Sequence, residues 1–126
     1  MCIRDRYIGS IGSKVLLIEQ PPELYFGDKN TPQYLAYLGI KPKDGINQYV
    51  RYSNSSTYRA GVNLVRQIEK ENDFCTTVAI SDIYVADDKA WVLDSKDVLY
   101  MDDDHLSYFG TLKAKNRIAS ALKQLL

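Results

Sequence analysis

Short apolar runs punctuate this chain and predict its strands. Val15–Ile18 is a continuous aliphatic run, the pattern of a parallel strand that is covered on both faces. Residues 76–84 are rich in β-branched side chains and predict a second strand. Residues 91–93 and 98–101 predict two shorter strands, which residues 94–97 join.

Two longer segments carry apolar side chains at helical spacing. One predicted helix begins after Ser55 or Ser56, either of which can cap it, and runs to about residue 71. The other runs from residue 108 to about residue 125. The apolar faces consist of Gly61, Leu64, Val65 and Ile68 in the first helix, and of Ile118, Ala121, Leu122 and Leu125 in the second.

Residues 23–56 lie between the first strand and the first long helix. Glycines and prolines recur through this segment and predict an irregular excursion with one short helix over residues 33–38. The segment also carries five tyrosines, namely Tyr25, Tyr34, Tyr37, Tyr49 and Tyr52. It is therefore either a lid over a carbohydrate or acyl donor, or a surface insertion packed by its own tyrosines.

The alternation of strand, helix and strand predicts an α/β fold with a parallel sheet. In such sheets, ligands bind beyond the carboxyl ends of the strands. The turn 102–105 follows the last predicted strand and leads into the last predicted helix. We expect a functional site at this turn.

Charge and hydropathy give no indication of several classes of partner. The chain has 16 basic and 16 acidic side chains, so its formal net charge is zero. A balanced charge gives no indication of a nucleic-acid or anionic-membrane partner. No apolar run approaches the roughly 20 residues that span a bilayer.

The turn itself is the strongest chemical signal, because it carries the only histidine of the chain, His105. Imidazole accepts and donates protons near neutral pH, and Asp102, three residues earlier, can hold its ring N–H and fix the tautomer. This predicts the orienting half of a nucleophile–base–acid triad. We expect the carboxylate of Asp102, and not those of Asp103 or Asp104, to reach the ring.

Two other interpretations of this turn stay open. Three aspartates beside a histidine are common in a solvated turn that caps a helix, and Ser107 is a plausible N-cap. Asp and His are also metal ligands. A metal site is less favoured, because three adjacent aspartates point in different directions and no second His or Cys is near.

The string Y-x-D-x-x-H-L-S-x-x-G, from Tyr100 to Gly110, resembles the last motif block of SGNH hydrolases. More narrowly, the chain is similar to the SGNH domains at the C-terminus of membrane-bound acyltransferase-3 proteins, which O-acylate cell-surface polysaccharides. Residues 14–23 and 77–82 resemble two strand segments of those domains. The resemblance implies a flavodoxin-like three-layer SGNH sandwich, with acyl transfer through a serine ester and with Asp102 and His105 as the catalytic pair.

The resemblance also implies partners and a location. The partners are a polysaccharide acceptor, an acyl donor and a membrane acyltransferase domain in the parent chain, with no cofactor, metal or nucleic acid. The location is periplasmic or extracytoplasmic, with a membrane anchor in the parent protein. A free-standing SGNH esterase and a non-catalytic glycan-binding domain are the alternatives.

The chain departs from this family pattern at its N-terminal side. The G-D-S nucleophile turn is absent, because Gly27-Asp28 is followed by Lys29. Ser10 and Ser13 precede the first strand and are expected in a helix end and a turn. Residues 1–6 look like a translated sequencing adapter, so we expect residues 7–126 to be a partial, inactive SGNH-type domain whose N-terminal strands are missing.

Overall fold

The computed structural model of the protein describes residues 3–25, 30–45, 47–53 and 55–126, with side chains from residue 7 onward. The elements are α1 (Ile3–Ser10), β1 (Val15–Ile18), β2 (Glu23–Leu24), α2 (Thr31–Tyr37), a 3₁₀ turn (Pro42–Asp44), β3 (Gln48–Ser53), α3 (Ser56–Glu71), β4 (Cys75–Val78), α4 (Ser81–Tyr84), β5 (Val85–Ala86), β6 (Lys89–Asp94), β7 (Asp97–Val98) and α5 (Tyr108–Leu125). Within these ranges, no helix combines the length and apolarity that crossing a membrane requires.

A two-stranded parallel sheet carries the α/β character of the fold. β1 and β4 pair in register from Val15 opposite Cys75 to Ile18 opposite Val78. Parallel neighbours need a long crossover connection, and the segment between these strands includes α3. Both α3 and α5 contact β4. The predicted α/β class with a parallel sheet and helices is confirmed.

The remaining strands form a five-stranded antiparallel sheet in the order β2-β3-β6-β5, with β7 paired to β6. The prediction that residues 23–56 are irregular apart from one helix is therefore wrong, because β2 and β3 lie within them. β3 has one aliphatic residue, Val50, so its sequence lacks the alternating apolar pattern that would predict a strand. Its pairing with β6 makes it a strand.

Two strand predictions extend too far. The strand expected over residues 76–84 ends at Val78, and α4 begins at Ser81. Ile80 and Tyr84 are both buried and four residues apart, which is helical rather than strand spacing. Likewise, the strand expected over residues 98–101 ends at Val98, beyond which Tyr100 forms only an isolated bridge with Leu106.

The helix predictions are closer. α2 begins two residues earlier than predicted, because Asn30 and Gln33 form a reciprocal capping box. Ser55 caps α3 and accepts a hydrogen bond from the Tyr58 N–H at 3.0 Å. The bounds of α5 match the prediction. The predicted apolar faces of the two long helices are only partly buried: Leu64 of α3 is 57% exposed and Leu122 of α5 is 49% exposed.

Two buried tyrosines anchor the core. The Tyr84 hydroxyl donates to the Gly110 carbonyl at 2.7 Å, and the Tyr100 hydroxyl donates to the Pro22 carbonyl at 2.9 Å. Burial raises the pKa of Tyr84 to about 12 and raises that of Tyr100 further. The two rings meet edge to face, 6.1 Å apart. They tie the segment after β1 and the start of α5 to the same core.

Replacing Gly110 by alanine is expected to destabilise the fold by about 1–3 kcal/mol or more, because the new Cβ would lie 2.0 Å from the Leu99 carbonyl oxygen. Gly61 is the matched control, since it is also helical and a Cβ there would meet only the Gln20 side chain, at 3.6 Å. Gly61→Ala should be neutral or stabilise by up to about 1 kcal/mol. Urea unfolding of both variants measures this, and equal effects would contradict the close approach at Gly110.

Candidate active site

The turn that carries the histidine is closed at its base by the backbone. It connects β7 to α5, and the Met101 N–H donates to the His105 carbonyl at 2.8 Å. One residue pair further out, Tyr100 and Leu106 form a bridge. Ser107 then caps α5, accepting from the Gly110 N–H at 3.1 Å and donating to the Val98 carbonyl at 2.5 Å. The motif therefore builds a constrained loop.

A second segment holds the turn from outside. The Leu24 N–H donates to the Asp103 carbonyl at 2.6 Å. The Thr31 N–H donates to the Met101 carbonyl, and the buried Thr31 hydroxyl donates to the Asp102 carbonyl, both at 3.2 Å. Sequence reasoning missed these positions, because the only local signal at Thr31 is a helix start and the contacts span 70 or more residues.

Asp102 is the centre of the turn. Its Oδ1 accepts hydrogen bonds from the Asp104 N–H at 3.1 Å and from the His105 N–H at 2.7 Å. The ring Nδ1 of His105 lies 3.0 Å from Oδ1 and 2.9 Å from Oδ2. The expected contact between Asp102 and the ring is therefore present. A proton on Nδ1 is held by the carboxylate, so the neutral ring offers Nε2 as the acceptor.

Asp104 also reaches the ring, which corrects the expectation that the intervening aspartates point away. Its Oδ1 lies 2.7 Å from Nδ1 of His105, although the hydrogen-bond geometry is met only by Asp102. The N–H groups of Asp104 and His105 both donate to Asp102, which folds the turn around this carboxylate. The carboxylate of Asp104 thereby comes close to the ring. His105 therefore faces two carboxylates at one nitrogen.

These carboxylates set the protonation of the turn. The hydrogen bond to Asp102 raises the pKa of His105, and the charges of Asp104 and Asp102 raise it further. Desolvation acts to raise the pKa of Asp102, but backbone N–H donors and the ring outweigh it and lower the pKa. Desolvation, followed by the contact with Asp102, raises the pKa of Asp104. A raised histidine pKa stabilises the fold fully below about pH 6.5, and that stabilisation is lost as pH rises through the raised value.

Asp102, Asp104 and His105 carry possible metal-ligand atoms within 4.8 Å of one another. Oxygen and imidazole donors suit several divalent cations in type. Oδ1 of Asp102, however, already accepts two backbone N–H groups, and Nδ1 is already paired with carboxylates. Oδ1 of Asp102 and Nδ1 of His105 are thus already engaged by contacts within the turn.

No serine or cysteine in the described part of the chain hydrogen-bonds His105. Ser10 donates to the Tyr7 carbonyl at the end of α1, as its predicted place in a helix end implies. Ser107 is occupied as a helix cap. Residues 26–29, which include Gly27-Asp28-Lys29, lie outside the described residues, as do residues 1 and 2 of the predicted adapter. The side chain of His105 is 70% exposed.

A second polar cluster lies beyond the carboxyl ends of β1 and β4. Glu19 is 3% exposed, and its carboxylate accepts from the Arg66 guanidinium at 2.7 Å, which raises the pKa of Arg66. The Tyr58 and Ser81 hydroxyls lie 3.2 Å apart beside it. These groups line a cavity of about 450 Å³. Each of these polar groups has a partner within the cluster, in which the buried Glu19 carboxylate is satisfied by the largely exposed Arg66 side chain.

Comparison with known proteins places the chain in a family. A family model described as SGNH domain, fused to AT3 (acyltransferase-3) domains, matches residues 5–120. The chain belongs to this family. The match includes two of the six residues predicted to be adapter sequence, and it includes the whole histidine turn. Searches of curated proteins and of solved structures gave no significant match.

The geometry of this SGNH domain predicts a hierarchy among its aspartates. Asp102→Asn should lower the pKa of His105 most, because it removes the hydrogen-bonded carboxylate. Asp104→Asn should lower it less, and Asp103→Asn, the matched control, least. Because His105 is the only histidine, its ring proton signals in an NMR titration give the pKa of His105 in each variant. A wild-type midpoint at or below 6.5, or a largest shift for Asp103→Asn, would contradict the assignment.

Proposed function

We propose that this chain supplies the acid–base half of an acyl-transfer site, in which His105 moves protons and Asp102 orients the ring. The observation that carries the proposal is the 2.9 Å contact between Nδ1 of His105 and the Asp102 carboxylate, on a ring that is otherwise exposed. Holding the proton on Nδ1 leaves the Nε2 lone pair free to act as a general base.

The reaction follows from this tautomer. Nε2 of His105 takes the proton from a serine hydroxyl while the serine oxygen attacks the acyl carbonyl of the donor. The departing group of the donor takes that proton, which leaves a serine ester. His105 then removes the proton from an acceptor hydroxyl, whose oxygen attacks the ester, and the serine leaves with the proton. Asp102 stabilises the imidazolium during both steps.

The serine of this cycle lies, in our proposal, outside the chain. This is supported by the hydrogen bonds of the described serines, none of which involves His105. It is also supported by the lack of a G-D-S or G-x-S-x-G elbow in the sequence. The parent protein would contribute the nucleophile and the oxyanion donors.

The proposed parent is a polysaccharide O-acyltransferase whose membrane acyltransferase domain delivers the acyl group to an extracytoplasmic SGNH domain. The family of the chain supports this, since its domains are described as fused to AT3 domains. The acceptor would be a sugar hydroxyl of a cell-surface polysaccharide. Water in place of that hydroxyl would turn the same cycle into ester hydrolysis, so a hydrolysis assay also reports on the pair.

The isolated chain is expected to hydrolyse 4-nitrophenyl acetate no faster than free imidazole at the same concentration, because its proposed serine nucleophile lies outside the chain. Ser10→Ala and Ser13→Ala should leave the rate unchanged. Turnover that is lost in either serine variant would show that the nucleophile lies within this chain, and the proposal that it lies outside would be wrong.

In the complete membrane-fused protein, Asp102→Asn is expected to lower kcat for acyl transfer by about 10³–10⁴-fold, because it favours the wrong tautomer. Asp103→Asn is the matched control and should stay near wild type. The wild-type rate should rise with pH through the raised pKa of His105, since only the neutral ring accepts a proton. Equal losses in both variants would refute the orienting role of Asp102.

A further inference from the structure

One side of the antiparallel sheet carries several exposed side chains. On β3 and β6, Val50 pairs with Ala90, and both are buried. Tyr49 opposite Trp91 and Arg51 opposite Lys89 therefore lie on the other side, since strand residues alternate between faces. We call these four side chains the outer sheet face. Tyr49, Arg51 and Lys89 are exposed and Trp91 is half-buried.

The two aromatic rings of this face are stacked. The rings of Tyr49 and Trp91 lie 15° from parallel, with centroids 6.4 Å apart. The ammonium group of Lys113 sits 4.9 Å from the Trp91 ring centre and also pairs with Asp94, so it fixes the indole from one side. Aligned, partly exposed rings of this kind offer apolar surface to the C–H face of a sugar ring.

The cationic half of this face is unusual because two like charges lie directly opposite each other. Arg51 and Lys89 are cross-strand partners, an arrangement that destabilises a sheet. Among the described residues, neither has an acidic side chain within ion-pair distance. Asp87 and Asp88 precede Lys89 in the turn but do not pair with it. Two adjacent cations without such partners fit an anionic ligand.

The surface continues at both ends of β3. A concavity of about 360 Å³ is lined by Tyr49 and Lys89, and also by Asp87, and one of about 480 Å³ is lined by Tyr25 and Arg51. Tyr25 is 68% exposed, and its N–H donates to the Arg51 carbonyl, so it extends the face beyond β3. The whole surface follows a strand of six residues, roughly 20 Å long.

We propose that the outer sheet face binds an anionic polysaccharide chain laid along β3, with sugar rings against Tyr49 and Trp91 and acidic groups against Arg51 and Lys89. That this ligand is the acyl acceptor rests on the proposed function. The binding itself does not involve His105.

The test titrates the chain with sodium oligogalacturonate, with neutral dextran as the uncharged comparison. Trp91 is the only tryptophan, so its fluorescence reports binding at the site itself. We expect saturable binding of oligogalacturonate that weakens with salt, and little binding of dextran. Tyr49→Ala should raise the Kd about fivefold. The double variant Arg51→Ser/Lys89→Ser should raise it about tenfold and flatten the salt dependence.

Matched controls separate this face from the general surface. Tyr7→Ala removes a more exposed tyrosine, on α1, and Lys115→Ser removes an exposed lysine on α5. Both should bind as wild type, with folding of every variant checked by circular dichroism. His105→Ala should also bind normally, so a failure of the catalytic proposal leaves this one standing. No binding, equal binding of dextran, or equal losses in the control variants would overturn it.

Discussion

The histidine turn depends on hydrogen bonds from a segment some 70 or more residues earlier in the chain. The buried Tyr100 hydroxyl needs a partner, and the Pro22 carbonyl supplies it at 2.9 Å. The same segment then donates to the turn through the Leu24 N–H and through the backbone and hydroxyl of Thr31. These partners belong to the core and to α2, so they hold in place the turn that orients His105.

Within the turn, one carboxylate serves two purposes. Asp102 accepts two backbone N–H groups, which stabilises the turn, and holds Nδ1 of His105, which orients the ring. The N–H donors keep Asp102 ionised despite desolvation, while Asp104 beside it is the carboxylate whose pKa rises. The environments of Asp102 and Asp104 thus shift the pKa values of these neighbouring carboxylates in opposite directions. Such a difference is common in acid–base sites. The catalytic proposal and the structural role of the turn therefore share the same contacts.

The two proposals are connected through the β6–β7 hairpin. β6 carries Trp91 and Lys89 of the outer sheet face, and β7 leads within a few residues to His105. The Lys113–Asp94 ion pair ties the start of this hairpin turn to α5, whose N-cap follows the histidine. A polysaccharide chain held on this sheet would be bound by the same structural unit that supplies the base. The antiparallel sheet, of which the sequence predicts only the strands β6 and β7, would then contribute recognition, and the turn would contribute chemistry.

The sequence by itself determined the local features: β1, the bounds of α5, its Ser107 cap and the contact of Asp102 with His105. Each depends on residues within a few positions, where spacing and capping chemistry decide the structure. Only the tertiary structure decided the rest. β3 is a strand because β6 pairs with it, and Thr31 reaches the turn across 71 residues. Asp104 joins the ring because the turn closes around two backbone hydrogen bonds, a constraint that no apolar pattern records.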